Sequence, residues 1–191
     1  MEDVSKGYKV PLFFILISVL FISAIIIITP IISYVHEVDQ VSTNIVIRNG
    51  LIYKQGKDSP YTGHIIDTLD KKIIEYDVVN GLKHGEFSIS NLEGNFSCFG
   101  FVEQNKNVGN WKYFYDDGRL ESTGDFKDDK PHGKWIWYFK NGKVKSEGNY
   151  LSGKPDGRWF KYDYQGHLNL MIYYTNGEIV SEVKFNIPRS I

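Results

Sequence analysis

The sequence predicts an all-β chain in which tandem 24-residue β-hairpin repeats form one elongated, twisted antiparallel meander sheet, preceded by a single transmembrane helix. Three observations predict it. First, Gly85, Gly109, Gly133 and Gly157 stand 24 residues apart, and two residues after them come Phe87, Trp111, Trp135 and Trp159. Second, Gly94, Gly118, Gly142 and Gly166 recur at a later fixed offset, and Gly100, Gly124 and Gly148 at another, where Ile172 breaks the series. A fixed period in the twenties marks units that bury an apolar face only against their neighbours. Third, no charged or strongly polar side chain lies between Lys9 and His36, and no later stretch has helical periodicity.

In chain order, residues 1–10 read as a short tail and 11–35 as a transmembrane signal anchor. The apolar run from Leu12 to Ile32 is long enough, as a helix, to span a bilayer's hydrocarbon. The rival is a cleaved signal peptide, whose apolar core is shorter, about 7–15 residues, and ends at a small-residue site. Lys6 and Lys9 precede the span, while Glu37 and Asp39 follow it. That asymmetry keeps the N-terminus cytoplasmic and places the repeats outside, in the periplasm or at the cell surface. Residues 36–44 are a polar linker. An entry hairpin at 45–62 turns at Asn49-Gly50, and five repeats fill 63–180. The first is two residues short, with Asp70-Lys71-Lys72 in place of the usual glycine turn. Residues 181–191 read as a cap over the last edge, where an unpaired strand invites aggregation.

The unit Gly133 to Asp156 shows the logic of each repeat. Trp135 to Phe139 suits a half-buried strand, Asn141-Gly142 is a hairpin turn signal, and Lys143 to Tyr150 returns. A two-residue turn there pairs Lys140 with Lys143, Phe139 with Val144, Trp137 with Ser146, and Trp135 with Gly148. Each large ring is then expected to lie across the glycine opposite it in its own hairpin. One face collects Trp111, Tyr113, Tyr115, Leu120, Phe126, Trp135, Trp137, Phe139, Val144 and Tyr150. The repeat-core aromatics are Phe87, Trp111, Trp135, Trp137 and Trp159. The other face carries Lys112, Arg119, Glu121, Asp125, Lys143, Lys145 and Glu147, with Phe114, Tyr138 and Tyr162 among them. The segments Lys130-Pro131-His132-Gly133 and Lys154-Pro155-Asp156-Gly157 read as turns between units.

Composition excludes several classes. A formal net charge of −1 offers no attraction for nucleic acid, and the part after the anchor has no basic excess for anionic lipid. Cys98 stands alone, so neither a disulfide framework nor a cysteine zinc site is built, and it reads as a small buried strand residue. His36, His64, His84, His132 and His167 show no metal-pair spacing, and no nucleophile triad or phosphate loop appears. The expectation is therefore no enzyme, no cofactor, no metal and no small-molecule substrate. Asn95-Phe96-Ser97 matches a glycosylation sequon, which bears only on a eukaryotic secretory setting.

The run G-x-W-x-Y-F-x-x-x-G, the return strand with Gly-x-Tyr or Gly-x-Phe, and the Gly-Lys or Asp-Lys turn resemble the variant MORN repeat. The entry segment GLIYKQGKDSPYTGHI, Gly50 to Ile65, is similar to the opening of the bacterial YwqK-family antitoxin proteins. The resemblance covers about residues 50–180. It implies an interaction protein that neutralises a partner toxin by binding, and the anchor favours action at the envelope. From the residues alone the best-fitting class is a protein-interaction module, with Phe114, Tyr138 and Tyr162 as the candidate partner-binding row. The alternatives are a structural or scaffolding envelope protein and a lipid-associated module, neither with a toxin partner.

Overall fold

The computed structural model describes residues 44–185. The N-terminal tail, the expected membrane span at 11–35, the linker up to 43 and the tail from 186 lie outside the described residues. Among those described, no helix is long and apolar enough to cross a membrane. The chain begins with a small hairpin, β1 (Ile45–Arg48) and β2 (Leu51–Lys54). Eleven strands follow: β3 (Gly63–Leu69), β4 (Lys72–Val79), β5 (Leu82–Asn91), β6 (Phe96–Glu103), β7 (Lys106–Phe114), β8 (Leu120–Lys127), β9 (Lys130–Tyr138), β10 (Val144–Leu151), β11 (Lys154–Tyr162), β12 (Leu168–Thr175) and β13 (Glu178–Lys184). They form one antiparallel sheet in which every strand pairs only with its neighbours in the chain. This is the all-β meander of hairpins.

Two kinds of turn build it. At one end of the sheet the turns hold two residues, both left-handed: Gln104 (φ 50°) with Asn105 (66°), Asp128 (50°) with Asp129 (63°), and Ser152 (51°) with Gly153 (86°). These match the twist of the strands they join. At the other end the loop holds three. Gly142 N–H donates to Phe139 O (2.8 Å) and Phe139 N–H to Lys143 O (2.8 Å), so the loop is Lys140-Asn141-Gly142. Gly142 is left-handed (φ 82°) and Asn141 is not. The expected two-residue Asn141-Gly142 turn is thus corrected. Lys140 does not pair with Lys143, nor Phe139 with Val144. Instead Tyr138 faces Val144, and a bulge before Ser146 absorbs the extra residue. Beyond the bulge the expected pairs return, Trp137 with Ser146 and Trp135 with Gly148.

This slip has two consequences. Leu120 and Val144, expected on the aromatic face, pair with Phe114 and Tyr138 and so stand on the opposite one. The first unit is also explained. Leu69 pairs with Lys72 across left-handed Asp70 and Lys71, and the ladder runs unbroken to Gly63 with Val78. One loop residue and one bulge residue are absent there, which accounts for its two missing positions. A second correction concerns the repeat glycines. Gly133 and Gly157 lie inside β9 and β11, at left-handed bulge positions (φ 66° and 73°), not in turns. The strands therefore begin already at Lys130 and Lys154, with Pro131 opposite Phe126 and Pro155 opposite Tyr150. His132 and Asp156, expected in turns, are strand residues.

The tryptophans lie elsewhere than expected. Each ring lies across the glycine of the preceding hairpin, not the one opposite it in its own. A Cβ added to Gly124 would sit 2.2 Å from Cδ2 of Trp135, and one on Gly148 equally close to Trp159. Gly100 stands in the same relation to Trp111. Each indole N–H then donates to the carbonyl just after that glycine: Trp111 to Phe101 (3.1 Å), Trp135 to Asp125 (3.0 Å) and Trp159 to Asn149 (3.1 Å). Trp111, Trp135 and Trp159 are buried, while Phe87 and Trp137 are half-buried. Burying such a ring removes roughly 150–250 Å² from water, about 4–6 kcal/mol of transfer free energy at most. Phe126 and Tyr150 meet the rings edge-on, 5.2 Å from Trp135 and 5.1 Å from Trp159. The core is therefore a shingle of rings laid along one face.

At the N-terminal end the entry hairpin completes this core. Ile52 joins Ile65, Tyr76 and Val78 in a buried cluster, against which Ile45, Tyr61 and Phe87 pack. Its backbone is tied in as well: Ile52 N–H donates to Gly81 O (2.9 Å) and Gly81 N–H to Tyr61 O (2.7 Å). At the other end β13 is itself the edge of the sheet among the described residues, with every residue of the strand exposed. The stretch expected to cap that edge begins inside this strand.

Candidate functional site

The face opposite the tryptophans carries the candidate site. Lys112, Asp125, Lys134 and Glu147 alternate out of β7 to β10, as a solvated face requires. The sequence-expected row Phe114, Tyr138 and Tyr162 is here, but none of the three is fully exposed. Each sits at the end of its strand opposite an aliphatic side chain: Phe114 with Leu120, Tyr138 with Val144, Tyr162 with Leu168. Each ring is thus placed for cross-strand packing. Tyr162 is further engaged, donating its hydroxyl to Glu147 Oε1 (2.8 Å), whose other oxygen lies 2.7 Å from Lys134 Nζ. The Lys134 hydrogen bond, helped by Tyr162 and opposed by partial burial, holds the Glu147 carboxyl below its usual range. Partial burial and the Glu147 carboxylate push the Tyr162 phenol up. Tyr138 borders an open hollow of about 530 Å³ with Arg119, Leu120 and Lys140.

A different set of rings is more open. Phe96 is 46% exposed and Phe101 40%, on the same face, with Phe99 between them. Their ring centroids are 6.2 Å (Phe96–Phe99) and 5.8 Å (Phe99–Phe101) apart, and Phe114 joins at 6.4 Å from Phe96. Phe114 is thus the one member of the expected row that touches this patch. Phe96 and Phe99 also border a hollow of about 170 Å³ whose polar wall is His64, Glu75, Asp77 and Glu86. His64 bridges that wall: Nδ1 is 2.7 Å from Asp77 Oδ1, and Nε2 is 2.9 Å from Glu75 Oε1. Burial lowers its pKa, but the two carboxylates outweigh this and hold it above the ordinary value. The arrangement ties β3 to β4 and leaves both ring nitrogens occupied.

Sequence reasoning did not single out Phe96, Phe99 and Phe101, although a signal was present. One period later the same places hold Leu120, Thr123 and Asp125, and two periods later Val144, Glu147 and Asn149. Two of the three phenylalanines therefore replace residues that are polar in the following units. Cys98 is buried in β6, and burial, against a backbone hydrogen bond from Ile89 and the charge of Lys72, pushes its thiol up. Such a thiol is a poor nucleophile. Among the described residues no group of three or more His, Cys, Asp or Glu is placed to hold a metal ion.

The comparison with protein families agrees with the repeat architecture. Residues 107–128 and 131–151 match the family model described as MORN repeat variant. No curated protein matches the chain. Among solved structures, the chain is similar to one titled "Crystal Structure of TarM" at 16% identity, with a TM-score of 0.36, over 61% of this chain and 21% of that one. The chain spans about a fifth of that protein's length, and a likeness this low carries no argument about fold or function. The two matched segments are the successive hairpins β7–β8 and β9–β10, each with its three-residue loop. Two hairpins of this chain, at 107–128 and 131–151, are thus similar to variant MORN repeats.

Proposed function

We propose that the repeat array is a protein-interaction module that binds a protein partner through the phenylalanine patch and performs no catalysis. One observation carries the reading: Phe96 and Phe101 stand 46% and 40% exposed on one face, and at the place of Phe101 the next two units carry the polar Asp125 and Asn149. Exposed aromatics ringed by charges are what interface anchors are made of, and one such anchor is often worth about 2 kcal/mol, roughly thirtyfold in affinity. The patch sits beside Glu75, Asp77 and Glu86, which favours a partner with basic side chains at its rim.

At the finer level, the partner is a toxin that the chain neutralises, held at the envelope by the span at 11–35 with the repeats outside. The motive is the similarity of the entry segment Gly50 to Ile65 to the antitoxin family, together with the charge asymmetry around the span. The experiment captures partners from carbonate-washed membranes with the full-length chain, against a Phe96→Ser, Phe101→Ser double variant whose melting curve shows it folded. The expected result is full-length protein in the washed membranes and a specific protein recovered by wild type but not by the variant. Equal recovery by both would clear the patch. Absence of the chain from the washed membranes would remove the anchor from the reading. Survival of cells expressing a toxin encoded beside this chain, lost with the double variant, is expected if the antitoxin role is right. Failure to protect sinks that role and leaves the binding module.

A further inference from the structure

We propose that the free edge strand β13 pairs with β13 of a second copy of this chain, joining two sheets edge to edge in a symmetric dimer. The argument begins with which backbone groups are free. Phe185 N–H donates to Asn169 O (2.8 Å), so this residue points its backbone groups toward β12. Backbone direction alternates along a strand, so Ser181 and Val183 also point inward, while Glu182 and Lys184 present their N–H and C=O to the open side. Among the described residues β13 has one partner strand, and all of its residues are exposed. An edge in this state is a template for another strand.

The side chains then select a register. A two-fold antiparallel pairing must centre on a residue, because adjacent residues differ in backbone direction and cannot oppose each other. Centring on Glu182 or Lys184 sets identical charges face to face, which is unfavourable. Centring on Ser181 draws in the irregular step between Ile179 and Ser181, where the β12 partner shifts. Centring on Val183 has neither fault. It opposes Glu182 with Lys184 of the second copy twice, each a hydrogen-bonded backbone pair. Both residues lie on the tryptophan face, since they pair with Ile172 and Leu170. On the other face Val183 meets its own copy, with Phe185 beside it, and these are 43% and 40% exposed in the single chain. The alternating Glu and Lys, which would repel most intruding strands, complement one another across this axis. The interface is isologous and closes at two copies.

The test uses the full-length chain in detergent by sedimentation. A dimer is expected at about 50 μM, as befits a short interface. Lys184→Glu alone opposes Glu with Glu twice and should weaken the dimer by roughly tenfold or more. The exchanged double variant, Glu182→Lys with Lys184→Glu, restores the pairs and should recover the dimer. Under mild oxidation Val183→Cys should cross-link into a covalent dimer, because non-hydrogen-bonded antiparallel pairs bring Cα atoms to about 4.5 Å. Wild type, whose Cys98 is buried, should not. A chain that stays monomeric to about 0.5 mM, a dimer indifferent to Lys184→Glu, or a double variant no better than the single one would each overturn the proposal.

Discussion

At the scale of single residues, each of the three buried tryptophans follows a glycine by eleven positions. Trp111, Trp135 and Trp159 follow Gly100, Gly124 and Gly148, and each ring occupies the space a Cβ would need. Where the ring is the smaller Phe87, Tyr76 stands at that place and stacks with it at 6.0 Å. Where no tryptophan follows, Ile172 fills the gap and is itself buried. The break at Ile172 comes where the next strand sets Glu182 opposite it, and no tryptophan follows. The expected outcome is that Gly148→Ala destabilises by about 1–3 kcal/mol through overpacking. Most of that cost should vanish in a Trp159→Leu background and persist in a Trp135→Leu background, as a double-mutant cycle by urea unfolding would read. Coupling to Trp135 in place of Trp159 would show that the ring lies across the glycine of its own hairpin.

At the scale of the hairpin, loop length decides which side chains share a face. Three-residue loops add one position, bulges add another, and between the two the last residues of each strand change sides. That is how Leu120 and Val144 come to lie beside Phe114 and Tyr138. Asn-Gly is a strong turn signal, yet it serves here in two different turns. Asn176-Gly177 is a two-residue turn with both residues left-handed, while in Asn141-Gly142 only the glycine is. The difference lies in where the strands on either side begin to pair, which a dipeptide does not encode. In the first hairpin Lys71 is held left-handed (φ 64°), a conformation glycine adopts without strain. Lys71→Gly should therefore stabilise by roughly 0.5–1 kcal/mol in denaturant unfolding. A loss of stability would mean that the lysine side chain contributes more than its backbone strain costs.

At the scale of the whole described array, the two ends differ. The entry hairpin closes the N-terminal end with Ile52, 5% exposed in the cluster of Ile65 and Val78. At the C-terminal end Val180 is 60% exposed on an edge with nothing beyond it among the described residues. Stability in such arrays is approximately a sum of unit and nearest-neighbour terms. Ile52→Ala should cost about 2–5 kcal/mol, and Val180→Ala less than about 0.5 kcal/mol, by the same unfolding measurement. Near-equal costs would mean that the C-terminal end is covered as well. The sequence by itself determined the period, the alternation of faces and the all-β class, because those follow from local patterning that every unit repeats. The register from Trp135 to Gly148 was equally legible, since loop and bulge cancel before it. Only the tertiary structure decided which glycine each indole covers, because a strand glycine has a neighbour on both sides and the ring chooses between them through its tilt. It also decided that Phe96 and Phe101 are open while Tyr162 is engaged with Glu147. Exposure depends on what the adjacent strands place alongside, and that is settled only when the sheet is assembled.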